Sequence, residues 1–272
     1  MKITNKSAAE RVAIARSPKR PGTTDYIRRL FNNFIPLAGD RNHGEDESII
    51  GGIAFYHGRP VTVIGQRKGK NLEENMRYRF GMPNPDGYRK AVRLMKQAEK
   101  FKRPVITFVD TPGAYPGIEA EAGGQGEAIA RSIATMSRLK VPTVSVFIGE
   151  GGSGGALAIG VSDKTLMLEN SIFSILSPEG FASILWKDRN RWEEACDVMK
   201  LTAKDLKEYG ICDIVIPEGE NGADVENIYI YEALDRAIEK SLKQIEKKSG
   251  ETLVNERYKK LRSIGSNKSL KI

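Results

Sequence analysis

The sequence predicts an α/β protein whose sheet is parallel or mixed and covered by helices. Three observations carry that prediction. Short apolar runs at 104–109 and 142–148 read as strands, and they alternate with longer segments whose apolar residues recur at helical spacing. The runs are nearly continuous in apolar residues, as strands covered on both faces are. A glycine-rich segment, Gly149 to Ala158, then joins the second run to small residues suited to a closely packed helix.

Residues 1–45 read as an N-terminal helical extension. Ala8 to Ala15 forms a short helix, Ser17-Pro18 and Pro21-Gly22 break the chain, and Thr24-Asp25 caps a second helix running through Phe34. Gly39 to Gly44 is a polar loop. The main domain spans 46–248. It opens with a β-hairpin, Gly52–Tyr56 and Pro60–Ile64 around His57-Gly58-Arg59. A basic connector follows, and from Tyr88 an amphipathic helix carries Val92, Met95 and Ala98 on one face. After the strand at 104–109, Glu119 to Leu139 reads as a helix with Ile129, Ile133 and Met136 in a stripe. Beyond the glycine run come short strands at 165–168 and 172–176 and a helix start at Ser177-Pro178. A helical stretch from Trp192 to Tyr209, broken near Thr202 and capped by Gly210, precedes a last strand at 214–216. An amphipathic helix covers 228–248. Residues 249–272 read as a basic, polar tail that frays from Tyr258.

The chain of 272 residues is long enough for one large α/β domain with a sizeable core, or for two small ones. Its apolar runs are too short to span a bilayer, and the N-terminus lacks the apolar stretch of a secretory signal. Cys196 and Cys212, without CxxC spacing, suit a reducing, cytoplasmic setting and argue against a zinc ribbon in this chain. The net charge of +8 is concentrated between Gln66 and Arg103, which holds 12 Lys/Arg against 4 Asp/Glu. Without a nucleic-acid module beside it, this stretch reads as a solvated helix face or a contact for a phosphorylated small molecule or acidic protein. Nucleic acid is not expected.

Gly151-Gly152-Ser153-Gly154-Gly155 satisfies G-x-S-x-G, the nucleophile-elbow pattern. A serine nucleophile needs a base, and His43 and His57 both lie upstream, His57 in a hairpin turn. Gly149, Gly151 and Gly154 also match G-x-G-x-x-G, with Glu169 as the acidic residue further on, yet the strand before them comes late in the sheet. A Walker loop lacks its lysine, and the histidines and cysteines form no metal cluster. Backbone chemistry remains. The loops 111–117 and 149–155 each follow a strand and precede a helix. If they share a sheet edge, their N–H groups converge on one carbonyl oxygen as an oxyanion hole. The alternative is that the glycines only permit close packing.

The segments Arg79-Phe80-Gly81-Met82-Pro83 with Gly87-Tyr88-Arg89-Lys90-Ala91, Asp110 to Gly117, Gly149 to Ile159, and Ser177-Pro178-Glu179-Gly180 with Ala182 to Trp186 strongly resemble the carboxyltransferase α subunit of bacterial acetyl-CoA carboxylase. The resemblance runs from about Pro18 through Pro217. It implies a crotonase-type fold, a spiral of ββα units with N- and C-terminal helical extensions. It implies transfer of a carboxyl group from carboxybiotin on a carrier protein to acetyl-CoA, giving malonyl-CoA, with no metal in this chain.

The implied partners are a β subunit with a four-cysteine zinc ribbon, in an α2β2 assembly, together with biotin carboxyl carrier protein and biotin carboxylase. In the implied mechanism backbone N–H groups polarise the ureido oxygen, a biotin anion takes the methyl proton, and the enolate attacks CO2. Gly154 and Gly155 are assigned to the ureido oxygen, with Gly151 and Gly152 shaping the turn. Gly113, Ala114, Ser177, Pro178, Glu179 and Gly180 line the substrate cleft, and Arg89 and Lys90 contact an anionic partner, either CoA phosphates or the carrier. Two other readings stay open: a stand-alone crotonase-fold hydratase or decarboxylase, and a non-catalytic subunit that binds acyl-CoA or a partner.

Overall fold

A computed structural model describes residues 3–220 and 222–266. In chain order the elements are α1 (Ala8–Ala15), α2 (Thr23–Leu30), β1 (Asn32–Pro36), β2 (Ile49–Tyr56), β3 (Arg59–Gln66), α3 (Leu72–Arg77), α4 (Pro85–Lys100), β4 (Val105–Thr111), α5 (Ile118–Ala122) and α6 (Gln125–Arg138). They continue with β5 (Thr143–Gly152), α7 (Ser153–Gly160), β6 (Lys164–Leu168), β7 (Ile172–Ser174), α8 (Pro178–Trp186), α9 (Trp192–Met199), α10 (Ala203–Glu208), β8 (Ile214–Ile216), α11 (Ile228–Ile245) and α12 (Gly250–Ser263).

The strands form one mixed sheet of order β1-β2-β3-β4-β5-β6-β8, with β7 paired to the end of β5. The hairpin strands run antiparallel, and β3, β4, β5, β6 and β8 run parallel. Side-chain alternation along the parallel strands builds a core on each face. Ile106, Phe108, Val144, Val146 and Ile148 pack with α2 and α11, while Val105, Val109 and Phe147 pack with α4, α6 and α7. A third cluster seats Val12 and Ala15 of α1 against Ile172, Cys196 and Leu201. The crotonase-type fold that the resemblance implied is the fold observed.

Four expectations change. The N-terminal 45 residues are not all helix, because Phe31 leaves α2 extended and β1 pairs with β2 at the sheet edge. The helix foreseen over 119–139 is two helices, since Gly124 takes a left-handed φ of 83° and separates α5 from α6. The glycine run is not all turn. Glu150, Gly151 and Gly152 continue β5 and pair with Ile172, Phe173 and Ser174 of β7.

The tail does not fray at Tyr258, since α12 runs on to Ser263. Its Arg257 is buried, donating to the Met136 and Leu139 carbonyls at the end of α6 and bidentately to Asp163 at 2.9 Å. The last part of that predicted tail, 267–272, lies outside the described residues.

Candidate active site

The parallel strands end together, so Gln66, Thr111 and Gly152 stand on one sheet edge, with Thr111 in register with Gly151. Helix α7 starts there. It is short, and its ends are held by side chains of the sheet and of α6. Thr107 and Ser132 donate to the Ile159 and Ala158 carbonyls at 2.7 and 2.6 Å. At the other end the buried Gln66 amide donates to the Gly155 carbonyl at 2.8 Å, and its oxygen accepts from the Asp110 N–H at 3.1 Å. Gln66 thereby ties β3, β4 and α7 together. Ser153 has a left-handed φ of 49°, so the chain turns sharply from β5 into the helix. The first amides of a helix have no acceptor within it and carry the positive end of its dipole. Ser153, Gly154 and Gly155 present those amides.

The second loop closes on the first. A Cβ on Gly155 would lie 2.8 Å from the Ala114 nitrogen, 2.9 Å from the Gly113 carbonyl carbon and 3.0 Å from the Tyr88 Oη. A Cβ on Gly152 would overlap the Pro112 carbonyl. Only bare backbone permits this approach. At Gly113 the requirement is conformational, because φ is 151° and the space around it is open. The loop is pinned by Thr111, whose hydroxyl accepts from the Gly113 N–H at 3.1 Å and lies within donating distance of the Gly81 and Gly113 carbonyls. Gln125 adds bonds to the Pro83 and Tyr115 carbonyls, both 2.9 Å.

An ion-pair chain runs behind the glycines. Lys68 bridges Asp110 at 3.0 Å and Glu150 at 2.6 Å. Arg16, just past α1, pairs with Glu150 at 2.7 Å and with Glu179 in the first turn of α8 at 2.6 Å. Burial works to raise the Glu150 carboxyl, but the charges of Lys68 and Arg16 outweigh it and hold the carboxyl below its usual range. Through Arg16, the α8 start meets the end of β5. Ser177 caps α8 by accepting from the Gly180 N–H at 3.1 Å, with Pro178 at the first helical position.

The structure therefore brings Gly151, Gly152, Gly154, Gly155, Gly113 and Ala114 together, and Arg16 links the Ser177–Gly180 turn to the end of β5. It does not offer Arg89 and Lys90 to a ligand. Lys90 is buried, its ammonium bonded to Glu45 and to the Asp46 carbonyl. Arg89 donates to Asp40 at 2.8 Å and to the Gly123 carbonyl at 3.0 Å, and pairs with Asp86. With Arg93 on the Leu37 and Gly39 carbonyls, these cations clamp the 37–46 loop to α4. In this chain Lys90 is enclosed, and the Arg89 charge is taken up by Asp40 and Asp86.

Glu169 is buried against Thr4, Arg11 and the Glu218 amide, which removes the nucleotide reading of the glycines. His57 pairs with Asp235 at the hairpin turn, at the opposite end of the strands, and His43 pairs with Asp86. Neither imidazole bonds to Ser153. Among the described residues, no group of three or more His, Cys, Asp or Glu is placed to hold a metal ion. No helix among them is long and apolar enough to cross a membrane.

Sequence reasoning missed Gln66, Lys68, Arg16 and Glu150. The one available signal was an uncharged amide, Gln66, ending an apolar strand.

Ser153 has a left-handed φ and neither imidazole bonds to it, so its geometry is that of a turn into α7 and not of an activated nucleophile. Ser153→Ala is expected to keep carboxyl transfer within a few-fold in a steady-state assay. A loss beyond about a hundredfold, the scale of a lost catalytic group, would restore the nucleophile.

A helix N-terminus and a second glycine loop meeting at one edge of the sheet are the parts from which a backbone oxyanion hole can be built. The family model described as "Acetyl co-enzyme A carboxylase carboxyltransferase-like" matches residues 2–265, and the chain belongs to that family. It is 57% identical to the acetyl-coenzyme A carboxylase carboxyl transferase subunit alpha of Halalkalibacterium halodurans, over 94% of this chain and 79% of that one. It is 55% identical to the protein of the same name in Clostridium perfringens, over 97% and 98%.

Among solved structures it superposes on a transcarboxylase 12S with hydrolysed methylmalonyl-coenzyme A bound, with a TM-score of 0.68 at 18% identity, over 90% of this chain and 46% of that one. A Pseudomonas malonate decarboxylase hetero-tetramer in complex with coenzyme A matches with a TM-score of 0.65 at 16% identity, over 79% and 86%.

Proposed function

We propose that this chain is the α half of an acetyl-CoA carboxylase carboxyltransferase, and that its residues 46–248 hold the half of the active site that receives biotin. One observation carries this reading: Gly155 and the Gly113–Ala114 peptide meet without a side chain between them, at a helix N-terminus on the sheet edge. The Gly154 and Gly155 amides hold the ureido oxygen of carboxybiotin, and Gly113 and Ala114 line the same cleft. The donor set fits such an oxygen, which gains negative charge as the carboxyl group leaves. Each correctly placed donor is worth about 10²–10³ in rate. Bound carboxybiotin supplies the carboxyl group and the proton acceptor, and a serine–histidine pair is then unnecessary.

The acyl-CoA side comes from a β subunit with a four-cysteine zinc ribbon in an α2β2 assembly. Biotin carboxyl carrier protein delivers the group, biotin carboxylase loads it, and the work is done in the cytoplasm.

The test is transfer from malonyl-CoA to a soluble biotin derivative. Activity is expected only when this chain is mixed with the β subunit. Activity of the lone chain would instead support a stand-alone acyl-CoA enzyme.

A further inference from the structure

Tyr88 lies in the second turn of α4, fully buried, and its hydroxyl has no hydrogen-bond partner among the described residues. That oxygen sits where Gly155 and the Gly113–Ala114 peptide meet, 3.0 Å from where a Gly155 Cβ would stand. Leaving a buried hydroxyl unpaired costs stability, whereas a phenylalanine of the same shape would carry no such cost. At this sheet edge Gln66 uses both ends of its amide and Thr111 is shared between two loops, whereas the Gln125 Oε1 beside the 111–117 loop is, like the Tyr88 hydroxyl, buried without a partner. A Cβ built on Gly155 would meet the Tyr88 oxygen, the Ala114 nitrogen and the Gly113 carbonyl carbon together, so the hydroxyl lies beside the proposed oxyanion hole.

We propose that the Tyr88 hydroxyl is a further donor of this site, bonding the carbonyl oxygen that the Gly154 and Gly155 amides hold as it gains charge. The phenol is suited to donating. Burial and the nearby Asp46 carboxylate both push its ionisation above the ordinary tyrosine range, so the proton stays on at working pH. Its ring is packed in the core with residues of α6 and α7, so the oxygen is held in place before charge develops. The proposal rests on the oxyanion reading of this site, and its test separates the two.

Tyr88→Phe removes only the oxygen. In the complex of this chain with its β subunit, the variant is expected to lose about tenfold or more in kcat for transfer, with KM for malonyl-CoA changed by less than about twofold. Its melting temperature should be equal to or above that of the unmodified chain. A kcat loss smaller than about tenfold overturns the role. So does any lowering of the melting temperature, because the hydroxyl would then be structural. If the unmodified complex transfers and the variant matches it, only the tyrosine's role fails. If the unmodified complex is itself inactive, the oxyanion reading fails, and the tyrosine's role with it.

Discussion

Gly155→Val is expected to abolish transfer while the protein still folds. The first added carbon would lie 2.8 Å from the Ala114 nitrogen and 2.9 Å from the Gly113 carbonyl carbon, and both are backbone atoms that cannot rotate away. The valine has to push the 111–117 loop off α7, separating the two sets of amides. Overpacking of this kind costs about 1–3 kcal/mol, which a domain of this size survives. The loss of aligned donors costs about 10²–10³ in rate for each one displaced.

Gly154→Ala is the control. A Cβ there meets nothing nearer than Ile129 Cγ2 at 3.4 Å, and alanine in a helix gains about 0.5–1 kcal/mol over glycine. Thermal denaturation beside the transfer assay distinguishes the outcomes. A folded Gly155→Val variant that transfers normally would mean that the amides are not the site.

Glu218→Gln is expected to lower stability by about 3–5 kcal/mol, because it leaves the Arg20 charge buried without its partner. Glu218 takes both arms of Arg20 at 2.7 and 2.6 Å, the Asn170 amide and side chain at 3.0 and 2.9 Å, and the Ala223 N–H at 2.8 Å. Arg20 in turn donates to the Ile148 carbonyl at 2.7 Å, directly before the glycine run, so the pair also anchors β5. In a chain of this size such a loss corresponds to a fall of roughly 6–20 °C in melting temperature. A fall within the error of the melt would show that the pair contributes nothing net.

The pH dependence has a definite sign. Burial favours the neutral acid, but the charge and hydrogen bonds of Arg20 outweigh it and hold the Glu218 carboxyl below its unfolded value of 4.5. The stabilisation is therefore complete above that pH and lost as pH falls below it. Glu150 titrates with the same sign, since Lys68 and Arg16 lower it. The melting temperature is expected to hold steady from neutral pH down to about 5 and to drop below about 4.

Where the signal was local, the sequence was legible. Ala8–Ala15 appears with the bounds read from it, closed by a Ser7 capping box. The hairpin turns at His57-Gly58, Thr202 caps α10, and Gly210 follows that helix with a left-handed φ of 73°. The convergence of the two glycine-bearing loops was legible as a possibility, because parallel strands put their C-terminal ends on one edge.

What could not be read depends on distant partners. Lys90 looks like a surface cation until the 37–46 loop folds over it. Arg257 looks like part of a basic tail until Asp163 and the end of α6 enclose it. The second helix is expected to run through Phe34, whereas pairing with β2 draws Asn32–Pro36 into the sheet. Burial of Tyr88 was foreseeable from its helical stripe. The missing partner of its hydroxyl was not, since that depends on two glycines meeting from separate loops.

The most direct test of the central claim is the infrared stretch of the ureido carbonyl, read from a biotin ester labelled with ¹³C at that carbon and bound to the complex of this chain with its β subunit. Backbone amides aimed at the oxygen polarise the bond, so the band is expected to move to lower frequency than in water. The shift should persist in Ser153→Ala and vanish in Gly155→Val. A band unshifted on binding, or one whose shift depends on Ser153 and not on Gly155, would contradict the assignment of α7's first amides to that oxygen.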